Sequence, residues 1–355
     1  MSRRILIAAS AAVLALAATV PAAGATGGRS TAGTGNYAPL NRPGPRLTVP
    51  ASRLAASLRC HGMLHHARKE PVLLNPATGV TATQNYSWNY ERAFTAQHRP
   101  WCQVTMPYRT LGDIQTAGEY LVHAIRTMHA RADRRIAILG HSQGGMSMRW
   151  ALRFWPDTRA MVDDVIGMAG SNHGTTVQTA CIPNQTKCPP AVWQQGASAR
   201  FIRALNSGTE TFRGISYTEI FTHTDEVVQP NSTDAGSSSA LHTGAGRITD
   251  VSTQDVCPAD VNEHLGVGTI DPAAYALAMD ALNHDGPAEP SRVDRAVCTQ
   301  PYQPGVDPST AATYEQLLAG APGLIAVGTP EWNAVGAPEV AYEPKLRCYT
   351  LADGC

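Results

Sequence analysis

The sequence predicts an α/β protein built on a mostly parallel sheet with helices on both faces. Three observations carry that expectation. Short apolar runs alternate with amphipathic ones through the middle of the chain, the stretch Asp113 to Arg131 shows a single apolar stripe at helical spacing, and a G-x-S-x-G segment follows directly on an apolar run. Strands buried on both faces read as continuous apolar runs, and Val72-Leu73-Leu74 and Ile136 to Leu139 read that way.

The chain opens with Ser2-Arg3-Arg4, an apolar run from Ile5 to Val20, and Ala23-Gly24-Ala25. That order of charge, apolar core and small residues is a secretory signal over residues 1–25, and the run is short for a membrane anchor. No later segment is apolar enough to span a bilayer. Residues 26–50 are rich in Gly, Pro, Ser and Thr and read as a flexible lead-in, with a single folded domain over 51–355.

Within that domain, Pro71-Val72-Leu73-Leu74 and Trp101-Cys102-Gln103-Val104 read as strands. In the helix Asp113 to Arg131, Ile114, Ala117, Leu121, Ile125 and Met128 recur at steps of three to four. Arg135 to Leu139 is the next buried strand, Gln143 to Trp155 a helix stopped by Pro156, and Val162 to Ala169 and Ile215 to His223 two further strands. Lys+Arg and Asp+Glu both number 28 with no basic block, which argues against nucleic acid or an anionic membrane as partner. Export makes the 8 cysteines (Cys60, Cys102, Cys181, Cys188, Cys257, Cys298, Cys348 and Cys355) a plausible disulfide set. The absence of a C-x-x-C pair and the scatter of the histidines argue against a zinc site. His61, His65 and His66 have helix-like spacing but no carboxylate companion, so no metal is expected there, nor any organic cofactor.

Ser142 lies in Gly140-His141-Ser142-Gln143-Gly144-Gly145, between a buried strand and a helix. A sharp strand-to-helix turn lifts a serine hydroxyl above a sheet, and glycines two residues either side fit because a Cβ there would clash. A serine is a weak nucleophile, so a base and an acid to orient it should follow in the order Ser, Asp or Glu, His. Asp225 lies in the loop after the strand Ile215 to His223, with Glu226, Asp234 and Asp250 as rivals. His242, His264 and His284 are the candidates for the base. Spacing favours His264, between Cys257 and Cys298, without settling the choice.

The segments "VLLNPATG" (Val72 to Gly79), "GHSQGG" (Gly140 to Gly145), "AVWQQ" (Ala191 to Gln195) and "TDEVVQP" (Thr224 to Pro230) resemble, in order, segments of the lipase B family of yeast and bacteria. The resemblance runs from about Ser57 to Cys298. It implies an α/β-hydrolase fold with a small lid near 177–195, and a secreted lipase or carboxylesterase. It further implies Ser142 as nucleophile, Asp225 as acid and His264, in "DVCPADVNEHLG", as base, with Thr78 and the backbone N–H of Gln143 as oxyanion donors. Cys60 with Cys102 and Cys257 with Cys298 match family disulfides; a local Cys181 to Cys188 bond would stiffen the lid, and Cys348 and Cys355 stand close together in a tail that follows the family poorly. His141 departs from a tryptophan of the yeast member, and Ser171 stands where that member has an acid. The expected partner is an ester or lipid substrate met by a monomer. An acyltransferase or polyester hydrolase on the same residues, or a catalytically silent binding protein, are the alternatives. Asn85-Tyr86-Ser87, Asn184-Gln185-Thr186 and Asn231-Ser232-Thr233 match the N-glycosylation pattern.

Overall fold

The computed structural model describes residues 36–177, 181–319 and 335–354. Its frame is a 7-stranded sheet in the order β1-β3-β2-β4-β5-β6-β7. The strands are β1 (Leu58–His61), β2 (Val72–Asn75), β3 (Trp101–Val104), β4 (Ile136–His141), β5 (Val162–Met168), β6 (Ser216–Phe221) and β7 (Arg247–Ser252). Every pairing is parallel except that of β1 with β3, where Cys60 lies opposite Cys102 and is disulfide-bonded to it.

The alternation of side chains along the central strands divides the core in two. Leu73, Ile136, Ile138 and Val165 face the helices Ile114–Ala132 and Gln143–Phe154 together with Trp150, Trp155 and Phe201. Val72, Leu74, Ala137, Leu139 and Ile166 face Tyr86, Tyr90, Phe94 and the helix Pro272–Asn283. Each fully buried aliphatic side chain contributes about 1.5–3 kcal/mol, so a strand lined on both faces is held twice over. Ile114, Ala117, Leu121, Ile125 and Met128 are all buried on the helix Ile114–Ala132, and the Asp113 carboxylate caps it by accepting from Gln115 N at 3.0 Å.

The order of strands fixes where chemistry can occur. From β2 the chain first steps to β3 on one side, then crosses to β4 on the other, so the segments leaving the carboxyl ends of β2 and β4 part and open a crevice between them. At the opposite end of the sheet, Glu70, Asp163 and Asp164 gather within metal-ligand spacing of one another, and Arg135 pairs with Asp163 at 2.8 Å.

Residues 36–50 depart from the flexible lead-in expected of them. Ala38 is buried, its N–H donates to Thr350 O at 2.8 Å, and its carbonyl accepts from Arg153 Nη2 at 2.7 Å. Val49 N donates to the buried Glu119 carboxylate at 2.9 Å, and Thr48 N does the same. Composition missed this because the segment adds hydrogen bonds to buried groups to the packing of its few apolar side chains, Tyr37, Leu40, Leu47 and Val49, on the core. The expected signal sequence, the junction 178–180 of the expected lid, and Cys355 lie outside the described residues. Cys181–Cys188 and Cys257–Cys298 are both bonded. After Cys188 the short helix Pro190–Gln194 follows, and Trp193 Nε1 donates to Val340 O at 2.9 Å. No helix among the described residues is long and apolar enough to cross a membrane.

Burial, then the neighbouring Asp164 and Asp163, push the Glu70 carboxyl up from 4.5 to about 9, against Arg134 and Arg99. A folded-state value above the unfolded one gives stability that is full below about 4.5 and is lost as pH rises through about 9. Glu70→Gln should therefore gain melting temperature over the wild type progressively between pH 5 and pH 9. A difference that does not change with pH would show that Glu70 is not held neutral.

Candidate active site

Ser142 sits between β4 and the helix Gln143–Phe154 with φ 56° and ψ −123°. A non-glycine residue at that φ is strained, and the backbone around it is pinned: Ser142 N donates to Met168 O at 2.8 Å and Gly145 N to Ser142 O at 2.9 Å. The two flanking glycines answer to packing. A Cβ on Gly140 would lie 2.4 Å from the Gly144 carbonyl, and one on Gly144 would lie 2.2 Å from the Asn75 oxygen. The segment after β2 and the first turn of the helix thus meet backbone to backbone.

His264 begins the short helix His264–Val267, whose amino end is capped by the Glu263 carboxylate accepting from Leu265 N at 2.8 Å and Gly266 N at 3.2 Å. Its Nε2 lies 2.9 Å from Ser142 Oγ and its Nδ1 2.9 Å from Asp225 Oδ2. Asp225, in the loop after β6, accepts from Val227 N at 2.9 Å, Val228 N at 2.7 Å and Asn231 Nδ2 at 3.3 Å. The Thr222 and Thr224 hydroxyls both donate to Asn262 O, at 2.8 and 2.7 Å, tying the loop of Asp225 to that of His264. Burial works against charge on both groups. For Asp225 the nearby His264 and these donors outweigh it and hold the carboxyl below its ordinary 3.8; for His264 the Asp225 carboxylate outweighs it and raises the imidazole above 6.5.

The rival residues lie elsewhere. Glu226 is exposed and reaches only the backbone N–H of His264, at 3.3 Å. Asp234 pairs with His223 at 2.9 Å, and Asp250 on β7 accepts from Leu241 N at 2.9 Å. The His242 ring stacks on His173 at 5.2 Å, and His284 Nδ1 donates to Asp280 O at 2.9 Å.

Thr78, buried in the segment after β2, is 2.9 Å from Gln143 Oε1 through its hydroxyl, which also accepts from Gln195 Nε2 at 3.1 Å. Gln195 Nε2 lies 3.2 Å from Gln143 Oε1, Ser171 Oγ donates to Gln195 Oε1 at 3.1 Å, and Gln143 Nε2 donates to Thr110 O at 3.1 Å. Gln143 is the first residue of its helix, so its N–H has no intrahelical acceptor. Thr110 has φ 66°, a cost of order 1–3 kcal/mol, yet its hydroxyl clamps the loop by donating to Ala77 O at 2.7 Å and accepting from Gly79 N at 3.0 Å.

Sequence reasoning missed Asn85, Thr110 and Asn231. Two of them stood out only as glycosylation acceptors, and both are fully buried within this network, whereas Asn184 is exposed. The three carboxylates with metal-ligand spacing lie at the far end of the sheet and supply nothing to the serine.

A serine on a strand-to-helix turn after a parallel strand, with an acid and then a histidine on later loops, defines the α/β-hydrolase class. The comparisons narrow it. Residues 119–259 match the family model Lipase (class 2). Lipase B of Pseudozyma antarctica is 30% identical over 293 residues, 81% of this chain and 84% of that one. The crystal structure of Aspergillus fumigatus lipase B superposes with a TM-score of 0.77 at 31% identity, covering 86% of this chain and 73% of that one. The chain belongs to the lipase B family, and it is a hydrolase of the lipase and carboxylesterase class.

Gly144→Ala should displace the turn and cost about a hundredfold or more in esterase activity, the scale expected of a misplacement near 1 Å. Gly196→Ala is the control, since its Cβ would meet only Trp193 O at 3.7 Å. Equal activity in the two variants would show that the close approach does not matter.

Proposed function

We propose that this protein is a secreted serine hydrolase that cleaves acylglycerols or simple carboxylic esters through an acyl-enzyme on Ser142. The observation that carries the reading is the buried row Ser142 Oγ, His264, Asp225, with both hydrogen bonds at 2.9 Å. Ser142 Oγ attacks the ester carbonyl as His264 Nε2 takes its proton, and Asp225 holds the ring and the positive charge that forms. The tetrahedral oxygen is received by the Thr78 and Gln143 N–H groups and the Thr78 hydroxyl. That hydroxyl turns away from Gln143 Oε1 to do so, and Gln195 Nε2, 3.2 Å from the same oxygen, keeps it paired.

The imidazolium then gives its proton to the leaving alcohol, whose oxygen departs with the electrons of the broken C–O bond. Water, deprotonated by His264, attacks the acyl carbon and frees the acid and Ser142. An alcohol in place of water would make the same intermediate an acyl donor, which product analysis with a competing alcohol separates. A signal sequence over residues 1–25 and the three described disulfides support export.

The wild type should hydrolyse p-nitrophenyl butyrate or palmitate, and Ser142→Ala should not. A folded wild type inactive on both and unlabelled by a fluorophosphonate would overturn the reading and favour a silent binding role. The base acts when neutral, so kcat/KM should climb with pH along a limb centred above the ordinary histidine value of 6.5. Asp225→Asn should lower kcat by about 10⁴-fold and, having lost the carboxylate that raises His264, move that limb to lower pH. A limb that stays in place would remove Asp225 from the role.

A further inference from the structure

His141 is almost fully buried at the end of β4, yet it does not serve as packing alone. Its Nε2 is 3.0 Å from the backbone oxygen of His264, and its Nδ1 is 3.3 Å from Asn85 Nδ2. Asn85 Oδ1 in turn accepts from the N–H of Ala77, beside Thr78, at 2.9 Å. Both ends of this row have fixed polarity, because Ala77 N–H can only donate and the His264 carbonyl can only accept. The direction of every bond between them follows: Ala77 N–H to Asn85 Oδ1, Asn85 Nδ2–H to His141 Nδ1, His141 Nε2–H to His264 O. The row therefore requires a neutral imidazole with its proton on Nε2. A second proton on Nδ1 would set two donors face to face.

Burial pushes His141 down to about 3, reinforced by the neighbouring His264, so it stays neutral when His264 becomes charged. The fit is close at the other end of the short helix too: a Cβ on Gly268 would lie 2.2 Å from His141 Cδ2.

We propose that His141 is a positioning residue for the hydrolysis: it ties the carbonyl of the base to the segment carrying Thr78, so that base and oxyanion donors keep one register across the nucleophile. The proposal rests on reading Ser142, His264 and Asp225 as the reacting row. It predicts that the Nε2–H bond to His264 is the part that matters. A glutamine at this position reaches with its amide nitrogen to where Nε2 stands, whereas an asparagine places its amide oxygen where Nδ1 stands.

The test measures kcat, KM, melting temperature and the rate of fluorophosphonate labelling for the wild type, His141→Phe, His141→Gln and His141→Asn, with p-nitrophenyl butyrate as substrate. His141→Phe should lose about a hundredfold in kcat and in labelling rate with KM little changed, as expected when a reacting group shifts by about 1 Å. His141→Gln should recover most of that loss and His141→Asn should not. If His141→Phe does not fold, the comparison of Gln with Asn decides alone. Asn85→Leu should act in the same direction, and the double variant with His141→Phe should lose less than the two losses combined. A His141→Phe enzyme as fast as the wild type, equal activity of the Gln and Asn variants, or fully additive losses would each overturn the positioning role while leaving the hydrolase reading intact. A wild type that neither turns over nor labels overturns both.

Discussion

The site depends on two stretches of backbone meeting with no side chain between them. Asn75 and Pro76 leave β2 as Gly144 enters the helix after β4, and the Asn75 oxygen would lie only 2.2 Å from a Cβ on Gly144. Asn75 also stitches the contact from its own side: its Nδ2 donates to Gly144 O at 2.7 Å and to Ser147 Oγ at 3.0 Å, while Tyr86 OH donates to the Asn75 carbonyl at 2.8 Å. From this approach follow the unusual φ of Ser142 and the meeting of Thr78 with Gln143. Strain of order 1–3 kcal/mol at Ser142 is sustained because parallel strands on either side leave the turn nowhere to relax, and at Thr110 because its hydroxyl is bonded to both Ala77 O and Gly79 N.

Charge at the site is governed by donors rather than by depth. Asp225, Glu219 and Asp271 are all buried carboxyls, and burial raises each of them. Asp225 alone ends below its ordinary value, because it faces two backbone N–H groups, the Asn231 amide and the His264 ring. Glu219 lies in the sheet beneath Gly167 with neither oxygen hydrogen-bonded, and Asp271 has only its own helix N–H groups and a second carboxyl, Asp260, beside it; both are pushed well up. Buried carboxyls that lack such partners are thus pushed up, while the one that faces His264 is held down. The buried His141 belongs to the same scheme: burial pushes it down, and its two ring nitrogens meet Asn85 Nδ2 and the His264 carbonyl.

The sheet's centre was legible because β2 and β4 are buried along their length and read as apolar runs, although β6 buries Ser216, Thr218 and Glu219 among its apolar residues, and the G-x-S-x-G turn was legible because its glycines are required by contact. The edge strands were not. β7 carries Arg247, Thr249 and Asp250 and is exposed or half-buried over its first four residues, and β1 is four residues joined to its neighbour by a disulfide. The helix Pro272–Asn283 carried its own start signal, Asp271 followed by Pro272, but is buried nearly all round and so shows no polar stripe. The choice among three histidines was settled by resemblance, since the flanking Cys257 and Cys298 only favoured His264; what distinguishes it is the meeting of loops 39 and 122 residues apart in sequence from its partners.

The chain ends make the same point from the opposite direction. Residues 36–50 and 335–354 lie outside the span of the sheet, yet Tyr349 OH accepts from Trp150 Nε1 at 3.0 Å and its ring packs 5.1 Å from that of Trp155. The Glu119 carboxylate binds both ends, taking Val49 N at 2.9 Å and Arg347 Nη1 at 2.7 Å. Glu119 lies on the helix whose apolar stripe was read correctly and Arg153 on the helix that follows the serine, and these polar residues help to hold the ends. A hydrophobic pattern finds surfaces that must leave water. It does not find segments recruited to satisfy charges that the same burial has left without solvent, and here those segments complete the outer face of the helix behind the serine.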